Sequence, residues 1–204
     1  MRRKTVIVTG LIGSGKSAVC ALLRERGIPV YDSDVRTKGL YDRRPALVGR
    51  LEEALGLPLR GTDGRLDRKA LAARIFSDAA ARKKLEAIVY PEVLADFKRW
   101  RARQKGAPFV VLESAVILSK PVFDGLADAV VLVSAPEEVR LWRVMQRDSL
   151  PAEAVRARMA AQVVPMEKVT ATLFNEGTPQ ALQKAVEQVF FAENSYICKI
   201  LQQA

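Results

Sequence analysis

Near the start of the chain, Gly10-Leu11-Ile12-Gly13-Ser14-Gly15-Lys16-Ser17 carries the spacing G-x-x-x-x-G-K-[ST] without a gap. Glycines let the backbone wrap closely, so that successive N–H groups turn inward around an anion. A following helix adds the partial positive charge of its N-terminus. In such a loop Gly10, Gly13, Ser14, Gly15, Lys16, Ser17 and Ala18 cradle the phosphates of ATP. Lys16 reaches the outer phosphates, and the Ser17 hydroxyl holds Mg²⁺. Gly13-Ser14-Gly15-Lys16-Ser17-Ala18 also fits the dinucleotide pattern G-x-G-x-x-[GA]. That pattern starts directly after its strand and has no use for a Lys-Ser pair, so the phosphate loop is the better reading.

Other side chains can join this loop. Asp32 and Asp34 close a short strand; two apart on extended chain, they share a side. One can cap the helix expected near Val35 while the other orients and deprotonates an acceptor hydroxyl, and Asp34 is the expected base. Glu113 ends an apolar run at a strand's carboxyl end. It is either an exposed strand-end residue or a carboxylate facing a Mg²⁺-bound water, Lys16 or a substrate group. Arg143 and Arg147 lie four apart on one helical face, with Arg156 and Arg158 close behind. They read either as a solvated basic helix or, preferably, as a mobile lid that brings positive charge to a migrating phosphoryl group. Asn175 ends a strand; a loop there either touches a nucleotide base through its backbone or caps a helix.

The chain contains no histidine, which removes Ser-His-Asp chemistry and histidine-ligated zinc. Proton transfer falls to carboxylates, lysine or tyrosine. A formal charge of +10 points to an anionic partner. There is no clustered aromatic surface and no long basic tail, so a small phosphorylated ligand is expected rather than nucleic acid. No stretch approaches the ~20 apolar residues of a membrane span. The basic start does not lead into a signal-peptide core. Cys20 and Cys198 form no C-x-x-C pair, and Cys20 fits the core side of the first helix. These features predict a cytoplasmic protein with no membrane partner. The expected assembly is a monomer or weak homo-oligomer.

The positioning elements follow from pattern. Thr5-Val6-Ile7-Val8-Thr9 is a β-branched strand, and a helix follows from 16 to about 26, stopped by Gly27. Ile28–Tyr31 makes a second short strand. From 35 to 104 no strand pattern occurs. Leu47, Leu51 and Leu55 keep helical spacing, Asp67 caps another helix, Ser77 or Asp78 a third, and Pro91 interrupts that one before Val93, Leu94, Phe97 and Trp100 continue it. Strands resume at Phe109–Glu113, Ala129–Val133 and Ala171–Asn175. Pro136 starts a helix, a charged helical stretch covers 148–168, and a last helix covers 179–192 before an apolar tail from Tyr196 to Leu201. The prediction is an α/β fold of the P-loop NTPase type. It has a parallel five-stranded sheet flanked by helices, a helical insertion for the substrate and a helical lid. Residues 1–35 and 105–204 form the nucleotide core, with the lid at about 147–168, and 36–104 form the insertion.

Taken in order, further segments resemble one family. They are Asp32-Ser33-Asp34, Asp63-Gly64-Arg65-Leu66-Asp67-Arg68-Lys69-Ala70-Leu71 with Ile75-Phe76, and Leu85-Glu86-Ala87-Ile88-Val89-Tyr90-Pro91. Leu112-Glu113-Ser114-Ala115, Arg143-Val144-Met145-Gln146-Arg147-Asp148 and Asn175-Glu176-Gly177 complete the set. Together with the phosphate loop they resemble the dephospho-CoA kinases. The resemblance implies ATP-dependent phosphorylation of the ribose 3′-hydroxyl of dephospho-CoA, the last step of coenzyme A synthesis. It puts Asp34 in the place of the family's base, Arg143 and Arg147 in the place of lid arginines, and Thr9 beside the transferring phosphate. Arg68, Tyr90 and Pro91 fall on the acceptor side, where Asp32 and Glu113 are also expected to bind substrate. The family usually has histidine where this chain has Tyr90; a phenol keeps a hydrogen bond but gains no positive charge at neutral pH. The alternatives are another P-loop kinase acting on a nucleoside, nucleotide or sugar acid, and a non-enzymatic nucleotide-dependent regulator that binds nucleic acid. No guanine-recognition motif of the Asn/Thr-Lys-x-Asp type occurs.

Overall fold

The computed structural model describes residues 3–202. Two compact units emerge: the described residues up to Asp32 and from Arg101 onward, and the segment Ser33–Trp100.

The first unit is built on a five-stranded parallel sheet, ordered β2-β3-β1-β4-β5. Its strands are β1 (Lys4–Thr9), β2 (Val30–Asp32), β3 (Phe109–Glu113), β4 (Ala129–Ser134) and β5 (Ala171–Phe174). All five residues of β3 are buried, as the unbroken apolar run requires for a strand covered on both faces. β1 lies centrally, with Val8 opposite Glu113 of β3 and Thr9 opposite Leu132 of β4. The chain passes from β3 on one side of β1 to β4 on the other. Such a reversal opens a crevice at the carboxyl ends of the strands, and the phosphate loop leaves β1 there. Helices α1 (Lys16–Glu25) and α8 (Pro179–Phe190) share a core with one face of the sheet, including Val6, Val8, Leu23, Val131 and Phe190. Ile197 of α9 (Tyr196–Gln202) joins that core, so the apolar tail is a packed helix.

The charged stretch is less helical than its pattern implied. Between Ser149 and Lys168 only α7 (Ala152–Ala160) is α-helical, followed by a 3-10 turn at Met166–Lys168. Val155 and Met159 of α7 pack on Leu141 and Val144 of α6 (Glu137–Asp148), with Ile12 of the phosphate loop beside them. Four buried side chains fix this helical hairpin, and the residues outside α7 lack such a stripe.

The second unit contains α2 (Ser33–Arg43), α3 (Pro45–Leu55), α4 (Arg68–Ser77) and most of α5 (Ala79–Arg103), with no strand among its described residues. Asp67 caps α4 by accepting from the N–H groups of Lys69 and Ala70, each at 3.0 Å. Asp78 caps α5 in the same way, through Ala80 and Ala81. Contrary to expectation, α5 runs through Pro91 without interruption. Buried Val89, Val93 and Phe97 on either side of the proline outweigh the single hydrogen bond it removes. Asp96, also buried, is held by Arg36 of α2 at 2.8 Å.

Candidate active site

The phosphate loop is held from outside. Asn175, buried just past β5, donates its side-chain amide to Ser14 O at 2.8 Å. Arg143 of α6 donates to Gly13 O at 3.4 Å and to Asn175 O at 3.2 Å. A trans peptide sends its N–H opposite to its C=O. Tying down Ser14 O therefore turns the Gly15 N–H toward the inner side of the loop. Gly15 sits at φ +94°, and a Cβ there would collide with the Asn175 amide. Gly13, at φ +79°, would meet Arg140 O at 2.5 Å. Both positions therefore need glycine for conformation and for space. Lys16 folds its ammonium over the loop, donating to Gly10 O at 2.9 Å. Ala18 N donates to Gly15 O at 3.0 Å and opens α1.

Beside the loop, Ser17 donates its hydroxyl to Glu113 Oε1 at 3.0 Å. Glu113 is 8% exposed, so it is not the open strand-end residue that one reading allowed. Asp32 stands opposite it in register on β2. Cys20, one turn beyond Ser17, is buried there; burial and then the Glu113 carboxylate push its thiol well above the ordinary range, leaving it inert. Thr9 ends β1, fully buried. No cluster of three or more histidine, cysteine, aspartate or glutamate side chains suited to a metal occurs among the described residues. A hard cation that keeps most of its shell as water and substrate phosphate needs only an oxygen or two from protein. Ser17 and Glu113, with Asp32 nearby, meet that need.

The arginines divide. Arg143 reaches the loop, while Arg147, one turn on, is exposed and turns to its neighbour Asp148 at 2.7 Å. The Arg147 guanidinium holds the Asp148 carboxyl below its ordinary range. Arg158 shares that carboxylate, and Arg156 pairs with Glu137 and Glu138. The four arginines are therefore not one cluster.

Asp34 is not on extended chain with Asp32. The strand ends at Asp32, and Asp34 lies in the first turn of α2, where its charge complements the helix dipole. The two-residue alternation thus does not apply. Asp34 is exposed and belongs to the second unit, as do Tyr90, Pro91 and Arg68. Tyr90 donates to Glu86 at 3.5 Å. Burial first, then Glu86, then the nearby charge of Asp34 push its phenol above the ordinary range. Arg68 reaches Asp42 at 3.3 Å. Burial pushes the Tyr41 phenol up to about 12, against the pull of Arg68. Asp34, Tyr41, Tyr90 and Arg68 thus share one neighbourhood within the unit.

Two contacts had no signal in the sequence. Gln162, past α7, accepts from the Ile12 N–H at 2.6 Å across 150 positions. Asn175 holds the loop rather than capping α8, whose cap is Thr178. Nothing local to either residue announces a partner so distant in the chain.

The dephospho-CoA kinase family model matches residues 4–177. A dephospho-CoA kinase from Porphyromonas gingivalis is 42% identical over 158 residues, covering 78% of this chain and 77% of its own. One from Thermus thermophilus is 40% identical over 185 residues, covering 89% of this chain and 88% of its own. Among solved structures, TT1252 from Thermus thermophilus matches with a TM-score of 0.79 at 39% identity, over 96% of this chain and 100% of that one. A dephospho-CoA kinase from Campylobacter jejuni has the same fold, with a TM-score of 0.58 at 23% identity over 92% of this chain and 95% of that one. With its ordered motifs and its strapped phosphate loop, the chain belongs to the dephospho-CoA kinase family and catalyses ATP-dependent phosphorylation of the ribose 3′-hydroxyl of dephospho-CoA.

Proposed function

We propose that Asp34 is the base of this reaction and that Lys16, Arg143 and Arg147 carry its developing negative charge. The 3′-hydroxyl oxygen forms a bond to the γ-phosphorus as the bond from that phosphorus to the β–γ bridging oxygen breaks. The hydroxyl proton passes to the Asp34 carboxylate, and ADP leaves. Amides of Gly13, Gly15, Lys16 and Ser17 bind the donor's phosphates, Gly10, Ser14 and Ala18 complete the cradle, and Lys16 leaves Gly10 O for the phosphates. Arg143, already anchored on the loop, supplies a fixed charge. Arg147, exposed on the same helix, supplies a movable one. Ser17 and Glu113 would hold Mg²⁺. That ion, when bound, neutralises charge on the outer phosphate oxygens.

The acceptor is assigned to the insertion, residues 36–104 with the neighbouring Asp34, through Arg68, Tyr90 and Pro91, with Thr9, Asp32 and Glu113 serving from the core. Tyr90, like any phenol, is a neutral donor at physiological pH, and burial pushes it further from ionising. It therefore replaces the family's histidine as a hydrogen-bond donor and not as a cation. Asn175 serves the nucleotide through the loop that it ties. A cytoplasmic setting accords with the free thiols of Cys20 and Cys198.

The observation that supports this reading is the strap of Arg143 and Asn175 on the carbonyls of Gly13 and Ser14, which leaves the Gly15 N–H turned to the other side of the loop. Asp34→Asn tests the base. Turnover with dephospho-CoA should fall ~10²–10⁴-fold, with ATP affinity changed by no more than about twofold. A variant that keeps most of its rate removes Asp34 from the mechanism.

A further inference from the structure

The phosphate loop has another tie from outside, and it comes from the segment after α7. Gln162 accepts the Ile12 N–H on its side-chain oxygen at 2.6 Å. The glutamine is itself held at the end of that helix, its own N–H donating to Met159 O at 3.2 Å. Val155 and Met159 pack on α6 with Ile12 beside them, so the hairpin grips Ile12 by side chain and by backbone. In a trans peptide the Leu11 C=O points away from the Ile12 N–H. With that N–H tied outward, Leu11 O faces the loop. There it accepts from Ser14 N at 3.1 Å and from the Lys16 ammonium at 3.5 Å. The first of these bonds closes a turn over residues 11–14, with Gly13 inside it at φ +79°. Arg143 and Asn175 tie the later peptides through Gly13 O and Ser14 O. The peptide that carries the Gly13 N–H is thus bracketed by tied neighbours.

We propose that Gln162 is a positioning residue for nucleotide binding: by fixing the Leu11–Ile12 peptide it holds the Gly13 N–H ready for a phosphate. The inference rests on the reading that this amide meets the donor's phosphates. Without the tie, the Leu11–Ile12 peptide can rotate, and the turn that depends on Leu11 O loosens. The cost of ordering the turn then falls on nucleotide binding. A bound phosphate holds the Gly13 N–H in place of the lost tie. The deficit is therefore in affinity and not in the chemical step. A merely structural role for Gln162 predicts the reverse: lower stability with nucleotide affinity unchanged. The seat of the hairpin on α6 thereby sets how firmly the loop grips its ligand.

Two variants of the full chain and one amide test this. Gln162→Met keeps the length of the side chain and loses its oxygen. Gln162→Glu keeps an acceptor oxygen at the same reach, and its added charge is screened at ~0.5 M salt. At that salt, calorimetry should show ADP bound about fivefold more weakly by Gln162→Met. Its KM for ATP should rise by a similar factor, while kcat stays within about twofold. Gln162→Glu should hold ADP within about twofold of the natural chain, because the tie is restored. The Ile12 N–H should exchange slowly with solvent in the natural chain and ~10-fold faster in Gln162→Met. The proposal is overturned if Gln162→Met binds ADP as the natural chain does, whatever its urea midpoint, if Gln162→Glu loses as much, or if the loss falls on kcat. An Ile12 amide that exchanges freely in the natural chain would also overturn it, with no variant needed. A natural chain that binds no ADP would overturn the phosphate-loop reading along with it.

Discussion

Ser17 and Glu113 come from opposite halves of the sequence, yet meet at 3.0 Å where β3 ends beside the phosphate loop. A buried carboxylate accepting a hydroxyl at that place is suited to orienting a metal-bound water or the hydroxyl that ligates the metal. Glu113→Gln keeps the shape and removes the charge. It should raise the Mg²⁺ concentration for half-maximal turnover ~10-fold or more, read from rates at fixed ATP; an unchanged Mg²⁺ dependence assigns Glu113 to structure alone. At this scale the sequence was informative where chemistry is local. Gly10 through Ser17 carry their spacing within a few residues, and the loop forms as that spacing requires. The partners of the loop were not legible. Asn175, Gln162 and Arg143 reach it from more than a hundred positions away, and only the fold brings them in.

Among the elements, α4 offers a clean energetic test. Its Asp67 cap satisfies two N–H groups that the helix cannot satisfy itself. Asp67→Ala should destabilise the protein by about 1 kcal/mol, visible as a lower urea midpoint with an unchanged slope. A loss below about 0.2 kcal/mol would mean that water replaces the cap without cost. Both this cap and that of α5 were readable, because Asp before an apolar-periodic run has few other uses. β3 was also readable in full, since a buried parallel strand is a continuous apolar run. The passage from β2 to α2 was not. Asp32-Ser33-Asp34 suits a strand end and a helix start equally, and the choice decides whether Asp34 lies on the sheet or on a helix. Pro91 misled for a related reason. Proline disfavours a helix locally, while the packing that overrides it is tertiary. The charged stretch after α6 reads as helical over 148–168 because charge does not record where burial stops.

For the whole molecule, alkaline stability follows from the second unit. Folding raises the Tyr41 phenol from an ordinary 10.0 to about 12, chiefly by burial, and raises that of Tyr90 as well. The folded chain therefore holds protons that the unfolded chain releases above pH 10. The contribution is fully present below pH 10 and is lost as pH rises toward 12. Urea midpoints should fall between pH 10 and pH 12. The fall should be shallower in the Tyr41→Phe, Tyr90→Phe double variant; equal slopes would show that other groups cause it. Transfer of a phosphoryl group to a sugar hydroxyl is read from ADP release from ATP with and without dephospho-CoA. Release should depend on the acceptor, with one coenzyme A formed per ADP. ADP release at the same rate without the acceptor, or none with it, would contradict that transfer.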